Sequence, residues 1–404
     1  MPKVLRIMNR LSVGGPIHHV GYLTRYLNDD YETLLLVGNF EKGESDGSYI
    51  LERMGVAYTK IPSLERSLNP LKDIQAFRQL RKIIRDYKPD IVHTHAAKSG
   101  FLGRMAAVVE GVPVIVHTFH GHVFHSYFNK TVTSFFLIIE KYLAKKSSAT
   151  IAISELQKND LVNTYKIAPA DKVPVIPLGF DLSRFAENQE ENRELFRNKF
   201  YVEEDVLAIG IVGRLTKIKN QTMFLKVATQ MLATSTKKLK FFIIGDGSDM
   251  EMLKNTCKNL GLRFSCRDTL HTIKYDYDVM FTSMIKRMEV GYAGLDILTL
   301  TSLNEGTPVT LIEGQASNKP IVSTDVGAVK DAVLPGKTAL LSPSNNVEAF
   351  CKNLLAVIEN DDLRKKLSLE GGFIYKKFDY KRLINEMRTL YNQLLKMKNK
   401  VVLN

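Results

Sequence analysis

Short runs of β-branched and other apolar residues alternate along this chain with longer segments of helical periodicity. In the first half, these patterns predict strands at 4–8, 33–37, 90–95, 113–118, 149–153 and 172–176, and helices at 17–28, 70–87, 98–110, 131–146 and 154–165. The alternation is typical of parallel sheets whose strands are joined by helices. Ligands in such folds bind beyond the carboxyl ends of the strands, so the loops that follow the strands are the candidate functional segments.

A charged stretch at 186–206, with few apolar residues and no predicted strand, separates this half from a second one. The pattern then restarts, with predicted strands at 207–215, 240–247, 296–302 and 320–327, and helices from 221, 249 and 308 and at 347–359, 362–376 and 380–398. We therefore predict an α/β protein with two Rossmann-like domains, 1–185 and 186–379, followed by a C-terminal helical segment, 380–404. The segment 264–292 has no clear period, and no element is predicted there.

Length and composition agree with a folded protein of two domains. A chain of 404 residues exceeds one ordinary core, and 45% of its residues are hydrophobic and 25% charged. No apolar run approaches the ~20 residues that span a bilayer, and the first residues lack the apolar centre of a signal peptide. The three cysteines, Cys257, Cys266 and Cys351, are scattered without metal-binding spacing, so we expect reduced thiols in a cytoplasmic protein.

The formal net charge of +13 favours anionic partners: a nucleotide, a lipid phosphate, an anionic membrane surface or nucleic acid. Lysine and arginine are spread along the whole chain, however, so the charge also fits a generally basic composition. The sequence has no Arg-rich arm, zinc-finger spacing or aromatic RNA-binding motif, and nucleic acid is therefore not an expected partner.

The loop after the first predicted strand contains the glycine pair Gly14 and Gly15, within SVGGPIHHV (12–20). Glycines there let the backbone approach an anion, while the start of the helix supplies unpaired N–H groups. The spacing does not match the GxGxxG dinucleotide motif, and a tight strand-to-helix turn explains the pair equally well.

Eight of the nine histidines lie within the first 125 residues, and several fall in HTFHGHVFH (117–125), directly after a predicted strand. His120, beside a glycine in this loop, is placed to hydrogen-bond a ligand hydroxyl. Zinc is the alternative, but a structural zinc site usually has cysteines, and a catalytic one has a carboxylate or well-spaced histidines on rigid elements. We therefore expect no metal site and no cofactor.

The first loop of the second half, VGRLTKIKNQ (212–221), brings Arg214, Lys217 and Lys219 to the start of a predicted helix. Fixed cations and a helix terminus can together hold a diphosphate and stabilise it as a leaving group. A solvated basic loop is the alternative in a chain this rich in lysine.

Two carboxylates occur in the segment SLNEGTPVTLIE (302–313). Glu305 ends a loop that follows a strand, Pro308 is predicted at the first helical position, and Glu313 lies about one and a half turns into the helix. Carboxylates bind vicinal hydroxyls well because their oxygens accept from different O–H groups, and sugars and ribose carry such hydroxyls. Both glutamates are therefore candidates for contacts with one elongated ligand.

With these motifs in this order, the chain resembles the family-four retaining glycosyltransferases of the GT-B fold over nearly its whole length. The resemblance is carried by SVGGP, HTFHGHVF, PLGFDLSRF, VGRLTKIKN, IIGDG, NEGTPVTLIE and PIVSTDVG. The paired glutamates with the preceding GRL segment are its specific part. It implies two Rossmann-like domains that face each other across a cleft, with the C-terminal helix returning to the first domain.

The resemblance also implies how the second domain holds a nucleotide-sugar donor. Glu313 would bind the ribose of the nucleotide. Glu305 would bind hydroxyls of the donor sugar, together with the backbone N–H groups of Gly306 and Thr307. Such enzymes react on the front face of the donor, so the resemblance implies neither a protein nucleophile nor a metal ion.

The phosphates and the reacting sugar would be contacted from both domains. By the same resemblance, Arg214 and Lys219 would hold the diphosphate, with Gly14 and Gly15 approaching it from the first domain. His120 would lie over the reacting sugar. On these roles, His120 and Glu305 are the candidate catalytic residues.

Two departures from the family pattern affect the donor. Pro308 removes one N–H group from the corner between the loop and the helix. The segment before Tyr292, where the family places contacts to the base, is irregular here. We expect UDP on family frequency, with GDP or ADP as alternatives.

The acceptor is expected to be a glycan or a lipid-linked sugar. The apolar segment 131–146 ends in Lys141, Lys145 and Lys146 and is either a helix on an anionic membrane surface or an ordinary buried helix. The protein would then be peripheral on the inner face of the membrane. A nucleotide-sugar epimerase on the same fold, a non-catalytic nucleotide-sugar binding protein and a basic nucleic-acid binder remain as competing functions.

Overall fold

The computed structural model describes residues 1–11, 14–39, 46–65, 67, 69–120, 130–266 and 276–402. The chain divides into two compact units, one formed by Met1–Phe180 and Phe378–Asn404 and the other by Asp181–Lys377. The second unit is thus inserted between two segments of the first. The boundaries predicted from the sequence, after residues 185 and 379, lie near these divisions.

The first unit is built on a parallel sheet of six strands. The strands are β1 (Lys3–Met8), β2 (Glu32–Val37), β3 (Thr59–Lys60), β4 (Ile91–His95), β5 (Val114–Thr118) and β6 (Ala149–Ile151). Their order in the sheet is β3-β2-β1-β4-β5-β6, and every neighbouring pair is parallel. Its helices before the insertion are α1 (Gly15–Tyr26), α2 (Ser48–Arg53), α3 (Pro70–Tyr87), α4 (Ala97–Val109), α5 (Lys130–Lys146) and α6 (Glu155–Asn159).

The strand predicted at 172–176 is wrong. Only an isolated bridge between Ala152 and Val175 forms there, after a short 3₁₀ turn at Ala170–Lys172. Pro174 and Pro177 flank the bridge and have no N–H group to donate to a neighbouring strand, which explains why the pairing does not extend.

The second unit is built on a parallel sheet of seven strands. The strands are β7 (Val206–Val212), β8 (Lys238–Ile244), β9 (Phe264–Cys266), β10 (Val279–Ser283), β11 (Ile297–Leu300), β12 (Ile321–Thr324) and β13 (Ala339–Ser342). Their order is β13-β12-β11-β7-β8-β10-β9. Its helices are α7 (Ser183–Ala186), α8 (Gln189–Lys199), α9 (Gln221–Thr234), α10 (Met250–Asn259), α11 (Met288–Gly294), α12 (Val309–Ala316), α13 (Val329–Ala332), α14 (Val347–Glu359), α15 (Asp361–Leu369) and α16 (Phe373–Phe378).

The charged stretch at 186–206 belongs to the second unit as α8 and the start of β7. Phe196 in α8 is fully buried. Arg193 and Arg197 of the same helix pair with Asp296, at 2.7 Å and 3.2 Å, just before β11. The charges of this stretch therefore fix the helix to the sheet that follows it.

The last helix, α17 (Tyr380–Val402), packs on the first unit. The chain ends that border the insertion are hydrogen-bonded side by side: the Phe180 N–H donates to the Phe378 carbonyl at 2.7 Å, and the Tyr380 N–H to the Phe180 carbonyl at 3.1 Å. The apolar face of α17 joins one core with Val4 of β1 and α1, through Leu383, Ile384, Met387, Tyr391 and Leu394. The opposite face of the same sheet packs on α3 and α4.

None of the described helices combines the length and apolar character that crossing a bilayer requires.

Candidate functional site

At the carboxyl edge of the second sheet, the loops after β7 and β11 lie side by side because these two strands are neighbours. The Leu303 N–H donates to the Ile218 carbonyl at 2.8 Å, which ties the two loops together. The side chains of Lys219 and Glu305 form an ion pair, with Lys219 Nζ 2.6 Å from Glu305 Oε1. The predicted phosphate-binding lysine and the predicted sugar-binding glutamate are thus in direct contact.

The Glu305 carboxylate is held from several sides and is only 7% exposed. The Ser302 hydroxyl donates to the same oxygen as Lys219, at 2.6 Å. The Glu305 carbonyl accepts from the Ala328 N–H at 3.1 Å, in the loop after β12. A Cβ atom at Gly327, whose φ is +51°, would lie 1.9 Å from that carbonyl oxygen, so this position requires glycine.

The corner between Glu305 and α12 differs slightly from the prediction. Gly306 and Thr307 are half-buried and lead into the helix, but α12 begins at Val309. Pro308, predicted as the first helical residue, is instead the N-cap, because its ψ of 84° is not helical. The amides of Gly306 and Thr307 precede the helix.

Glu313 lies on α12, with its side chain 13% exposed and 3.9 Å from Arg184 Nη2 of α7. Burial raises the pKa of Glu313 to about 7, although the Arg184 charge acts in the opposite direction. The Tyr292 hydroxyl of α11 is buried beside the carboxylate, and burial raises the pKa of this tyrosine well above its usual value. Glu313 therefore titrates near neutral pH.

The loop after β7 presents Arg214 to solvent. Its carbonyl accepts from the Gln221 side chain at 2.9 Å, but its guanidinium makes no ion pair with any described residue. The loop packs closely against the loop that follows β8. A Cβ atom at Gly245, whose φ is +145°, would lie only 2.1 Å from the Gly213 carbonyl oxygen. Gly245, the first glycine of the IIGDG motif, thus permits backbone contact between the two loops.

In the first unit, Gly14 and Gly15 occupy the turn between β1 and α1. Gly15 is the first residue of α1, and Pro16, which has no N–H group, follows it. No side chain caps this helix start, and the N–H groups of a first turn have no partner within the helix. Both glycines are half-buried. Ser12 and Val13, the first two residues of the SVGGP motif, lie outside the described residues.

His120 follows β5 and is part of a histidine cluster at the carboxyl edge of the first sheet. Its Nε2 lies 3.0 Å from Nδ1 of His95, the last residue of β4. The ring of His19, from α1, is centred 5.1 Å from the His120 ring and 5.6 Å from the His95 ring. Burial lowers the pKa of His120 to about 3 and lowers those of His19 and His95 well below the usual value. The remainder of HTFHGHVFH, with His122 and His125, lies outside the described residues.

A second layer of polar side chains supports the cluster from within the sheet. The His93 ring is centred 4.1 Å from that of His95. The Tyr391 hydroxyl of α17 lies 2.6 Å from His93 Nδ1, and Thr118 Oγ1 lies 2.8 Å from His93 Nε2. Burial raises the pKa of Tyr391, and the neighbouring buried Arg6 guanidinium, which can only donate, acts in the opposite direction. We infer that the tyrosine donates to Nδ1, which leaves the His93 proton on Nε2.

Three of these contacts were not predicted from the sequence. Arg184 stands in the PLGFDLSRF motif, but nothing in its spacing connects it with Glu313. Tyr292 is the last residue of the segment without a clear period, and Tyr391 lies on a helix predicted only from its periodicity. Each of these residues contacts a partner on an element far away in the chain, and no local sequence pattern predicts such a contact.

Comparison with known proteins follows the same division of the chain. The family profile described as Glycosyltransferase Family 4 matches residues 13–184, and that described as Glycosyl transferases group 1 matches residues 192–371. The Escherichia coli UDP-Gal:alpha-D-GlcNAc-diphosphoundecaprenol alpha-1,3-galactosyltransferase is 28% identical over 338 residues, which is 82% of each chain. The Staphylococcus aureus capsular polysaccharide biosynthesis glycosyltransferase CapM is 24% identical over 360 residues, 87% of this chain and 89% of CapM.

A solved structure has the same architecture over the whole chain. Anabaena HepE in complex with UDP superposes with a TM-score of 0.78 at 17% identity, covering 97% of this chain and 100% of HepE. The two parallel sheets and this likeness establish the GT-B fold. With both family profiles matched in order, this chain is a glycosyltransferase and belongs to the family-four glycosyltransferases of the GT-B fold.

Proposed function

We propose that this enzyme transfers a sugar from a UDP-sugar to a lipid-linked or glycan acceptor with retention of the anomeric configuration. The observation that carries the proposal is the contact between Lys219 and Glu305 at the carboxyl edge of the second sheet. A nucleotide sugar carries a diphosphate next to a polyol, and a cation next to a carboxylate complements both.

The phosphates are assigned to Lys219 and Arg214. Lys219 is held by Glu305, so the chain pays little conformational entropy to position its ammonium group. The Arg214 guanidinium has no competing ion pair among the described residues, and its fork of donors suits a bidentate phosphate contact. These two cations neutralise charge as the nucleoside diphosphate leaves, so the transfer needs no metal ion.

The hydroxyls of the donor are assigned to the carboxylates and to the corner before α12. Glu305 and the amides of Gly306 and Thr307 bind the sugar, and Glu313 binds the ribose. Ribose hydroxyls can replace the water that a buried carboxylate has lost, which favours the ionised form of Glu313 when the donor is bound.

The first unit is assigned the contacts with the reaction centre. His120 is a neutral donor or acceptor for the reacting sugar, and Gly14 and Gly15 present unpaired N–H groups to the diphosphate. The leaving phosphate accepts the proton of the acceptor hydroxyl, which allows front-face reaction and retention without a protein nucleophile.

The choice of UDP and of a lipid-linked acceptor is supported by the relatives. The Escherichia coli relative is named for a UDP-galactose donor and a diphosphoundecaprenol acceptor, and HepE was solved with UDP. The exposed face of α5 supports a membrane-bound acceptor, because Ile138 is 68% and Tyr142 is 49% exposed. Lys141 and Lys145 are exposed on the same helix, so this face can dock on the anionic inner surface of a membrane.

The function is tested by incubating the enzyme with UDP-, GDP- and ADP-sugars and measuring the released nucleotide with and without polyprenyl-diphosphate sugars. We expect UDP release that depends on the acceptor, and a rise in melting temperature with the same UDP-sugar. NMR of the product gives the anomeric configuration of the new bond. Failure of all nucleotide sugars to shift the melting temperature or to release nucleotide would refute the proposal.

Membrane docking is measured separately with vesicles. Replacing Lys141 and Lys145 by glutamate should weaken binding to anionic vesicles by at least about 20-fold, at roughly 1 kcal/mol for each lysine. Lys158→Glu, on α6, is the control. Equal binding of both variants would place the docking surface elsewhere, without affecting the assignment of the donor.

A further inference from the structure

The three histidines at the carboxyl edge of the first sheet are far apart in the chain but adjacent in space. His19 comes from α1, His95 ends β4 and His120 follows β5. One ring nitrogen from each lies within 4.8 Å of those of the other two. Within the described residues, no other group of histidine, cysteine or carboxylate side chains has this geometry.

Four ring nitrogens of this histidine cluster have no hydrogen-bond partner among the described residues. They are both nitrogens of His19, Nε2 of His95 and Nδ1 of His120. Buried polar atoms are nearly always paired, and one left unpaired costs about 1–3 kcal/mol. The cluster is therefore short of a ligand that interacts with imidazole nitrogens.

We propose that His19, His95 and His120 bind one divalent transition-metal ion, for which Zn²⁺ is the appropriate probe. Three imidazoles with one open position are a ligand set that Zn²⁺ accepts, whereas Mg²⁺ and Ca²⁺ prefer oxygen ligands. From the sequence we expected no metal site, because the spacing of residues 19, 95 and 120 matches no metal motif.

The geometry requires little change at two of the three ligands. Zn–N bonds of about 2.0–2.1 Å in a tetrahedron place ligand nitrogens roughly 3.3 Å apart. His95 Nδ1 and His120 Nε2 are 3.0 Å apart, so the ion replaces the hydrogen that they share. The His19 ring has no hydrogen bond that fixes its orientation among the described residues, and its ligand nitrogen lies within 4.8 Å of the other two. Binding therefore requires this nitrogen to move closer to them.

Metal binding has a consequence for transfer. His120 is the residue assigned to the reacting sugar, and a bound ion would fix its ring in the histidine cluster. Zn²⁺ is therefore expected to inhibit turnover. The binding itself does not rest on the proposed function, because it is measured without donor or acceptor.

The test uses the full chain, free of affinity tags and stripped of metal with a chelator. Zn²⁺ affinity is measured by competition with a chromogenic chelator, and we expect one equivalent bound. Substitution with Co²⁺ should give visible d–d bands without the thiolate charge-transfer band that binding at a cysteine would produce. X-ray absorption of the Zn²⁺ form should show a shell of three imidazoles, a measurement that needs no variant.

The variants His19→Gln, His95→Gln and His120→Gln should each weaken Zn²⁺ binding at least about 10- to 100-fold. His18→Gln is the matched control, because it removes the neighbouring imidazole of α1 and should leave the affinity unchanged. Variants that do not fold are identified by circular dichroism, and the X-ray absorption result then decides. Absence of stoichiometric binding, or equal affinity in all four variants, would overturn the proposal and would indicate that water fills the histidine cluster.

The inhibition assay separates the two proposals. Inhibition with the same midpoint as binding supports both the metal site and the role of His120. Binding without inhibition leaves the metal site in place and refutes the role of His120 in transfer. Normal transfer in an enzyme that binds no Zn²⁺ refutes only the metal site.

Discussion

The carboxyl edges of the two parallel sheets carry different chemistry. At the first, the candidate side chains are buried imidazoles, whose pKa values burial lowers. At the second, they are lysine, arginine and glutamate, of which Lys219 and Glu305 are paired and Arg214 is exposed. Two parallel sheets thus carry a neutral polar edge in one unit and a charged edge in the other.

The difference in charge between the two edges suits the ligand that each is proposed to bind. A diphosphate needs permanent cations, which remain charged only where water or a counter-ion is near. A group that contacts a sugar during reaction serves best if it can both donate and accept, as neutral imidazole can. Substitutions at both edges test whether binding and reaction divide between them in this way.

The largest effect is expected at the charged edge. Glu305→Ala removes a sugar contact and leaves Lys219 without its partner, so turnover should fall about 10³-fold, as for loss of a transition-state contact. Steady-state kinetics with the identified UDP-sugar measure this. Glu348→Ala, at an exposed glutamate of α14, is the control, and a loss below tenfold for Glu305→Ala would mean that this edge does not hold the reacting sugar.

At the neutral edge, His120→Ala should lower kcat about 10²-fold while the Kd for UDP changes less than about twofold. The reason is that the imidazole is assigned to the sugar and the nucleotide to the other unit. Calorimetry of UDP binding and kinetics in the presence of chelator give the two values. A Kd that rises as much as kcat falls would show that the division between the edges is wrong.

The support beneath the charged edge is tested with Gly327→Ala. A φ of +51° and a 1.9 Å approach to the Glu305 carbonyl should cost about 2 kcal/mol of unfolding free energy and reduce turnover. Gly261→Ala is a matched control, since Gly261 also has positive φ, +70°, but open space around its Cβ position. Equal losses of activity in the two variants would remove Gly327 from the support of Glu305.

The smallest effect concerns pH. With the pKa of Glu313 raised to about 7, the carboxylate is mostly protonated at pH 6 and mostly ionised at pH 8. Affinity for a UDP-sugar, whose diphosphate diester does not titrate there, should therefore rise about tenfold across this interval. Calorimetry at both pH values measures the change, and Glu313→Gln should abolish it. An equally steep dependence in that variant would assign the titration to another group.

The raised pKa of Glu313 also predicts that the stability of the ligand-free protein falls as the pH rises, whereas the affinity for the donor rises. The folded state holds the Glu313 proton more tightly than the unfolded state does, because burial disfavours the ionised carboxylate. The stability that this provides is complete below the unfolded pKa and is lost as the pH rises through about 7. Comparing unfolding free energies of the wild type and Glu313→Gln isolates this contribution.

The elements with strong local signals could be predicted from the sequence. Helix α3 spans Pro70–Tyr87, as predicted, because the Asn69 side chain accepts from the Lys72 N–H and Pro70 opens the first turn. Lys88, in a left-handed conformation before a proline, ends it. Strands β9, β10 and β13 and helix α11 were not predicted, since β9 is three residues long and α11 has no clear period.

The arrangement of the functional edges could not be read from the sequence. Lys219, Glu305 and His120 could be chosen as candidates from their residue types and their positions after strands, but their partners depend on sheet order. In the first sheet, β4 lies beside β1 although β2 and β3 come between them in the chain. This order places the end of β4, with His95, between the end of β1, which leads to His19 on α1, and the end of β5, which leads to His120.

The return of α17 to the first unit determines the order in which the protein can be completed during synthesis. Val4, near the start of the chain, shares a core with Met387 and Tyr391, near its end. The ribosome has added every residue of the inserted unit before it makes the helix that closes this core. The part of the protein that begins first is thus finished last, and a shortened C-terminus exposes an N-terminal sheet.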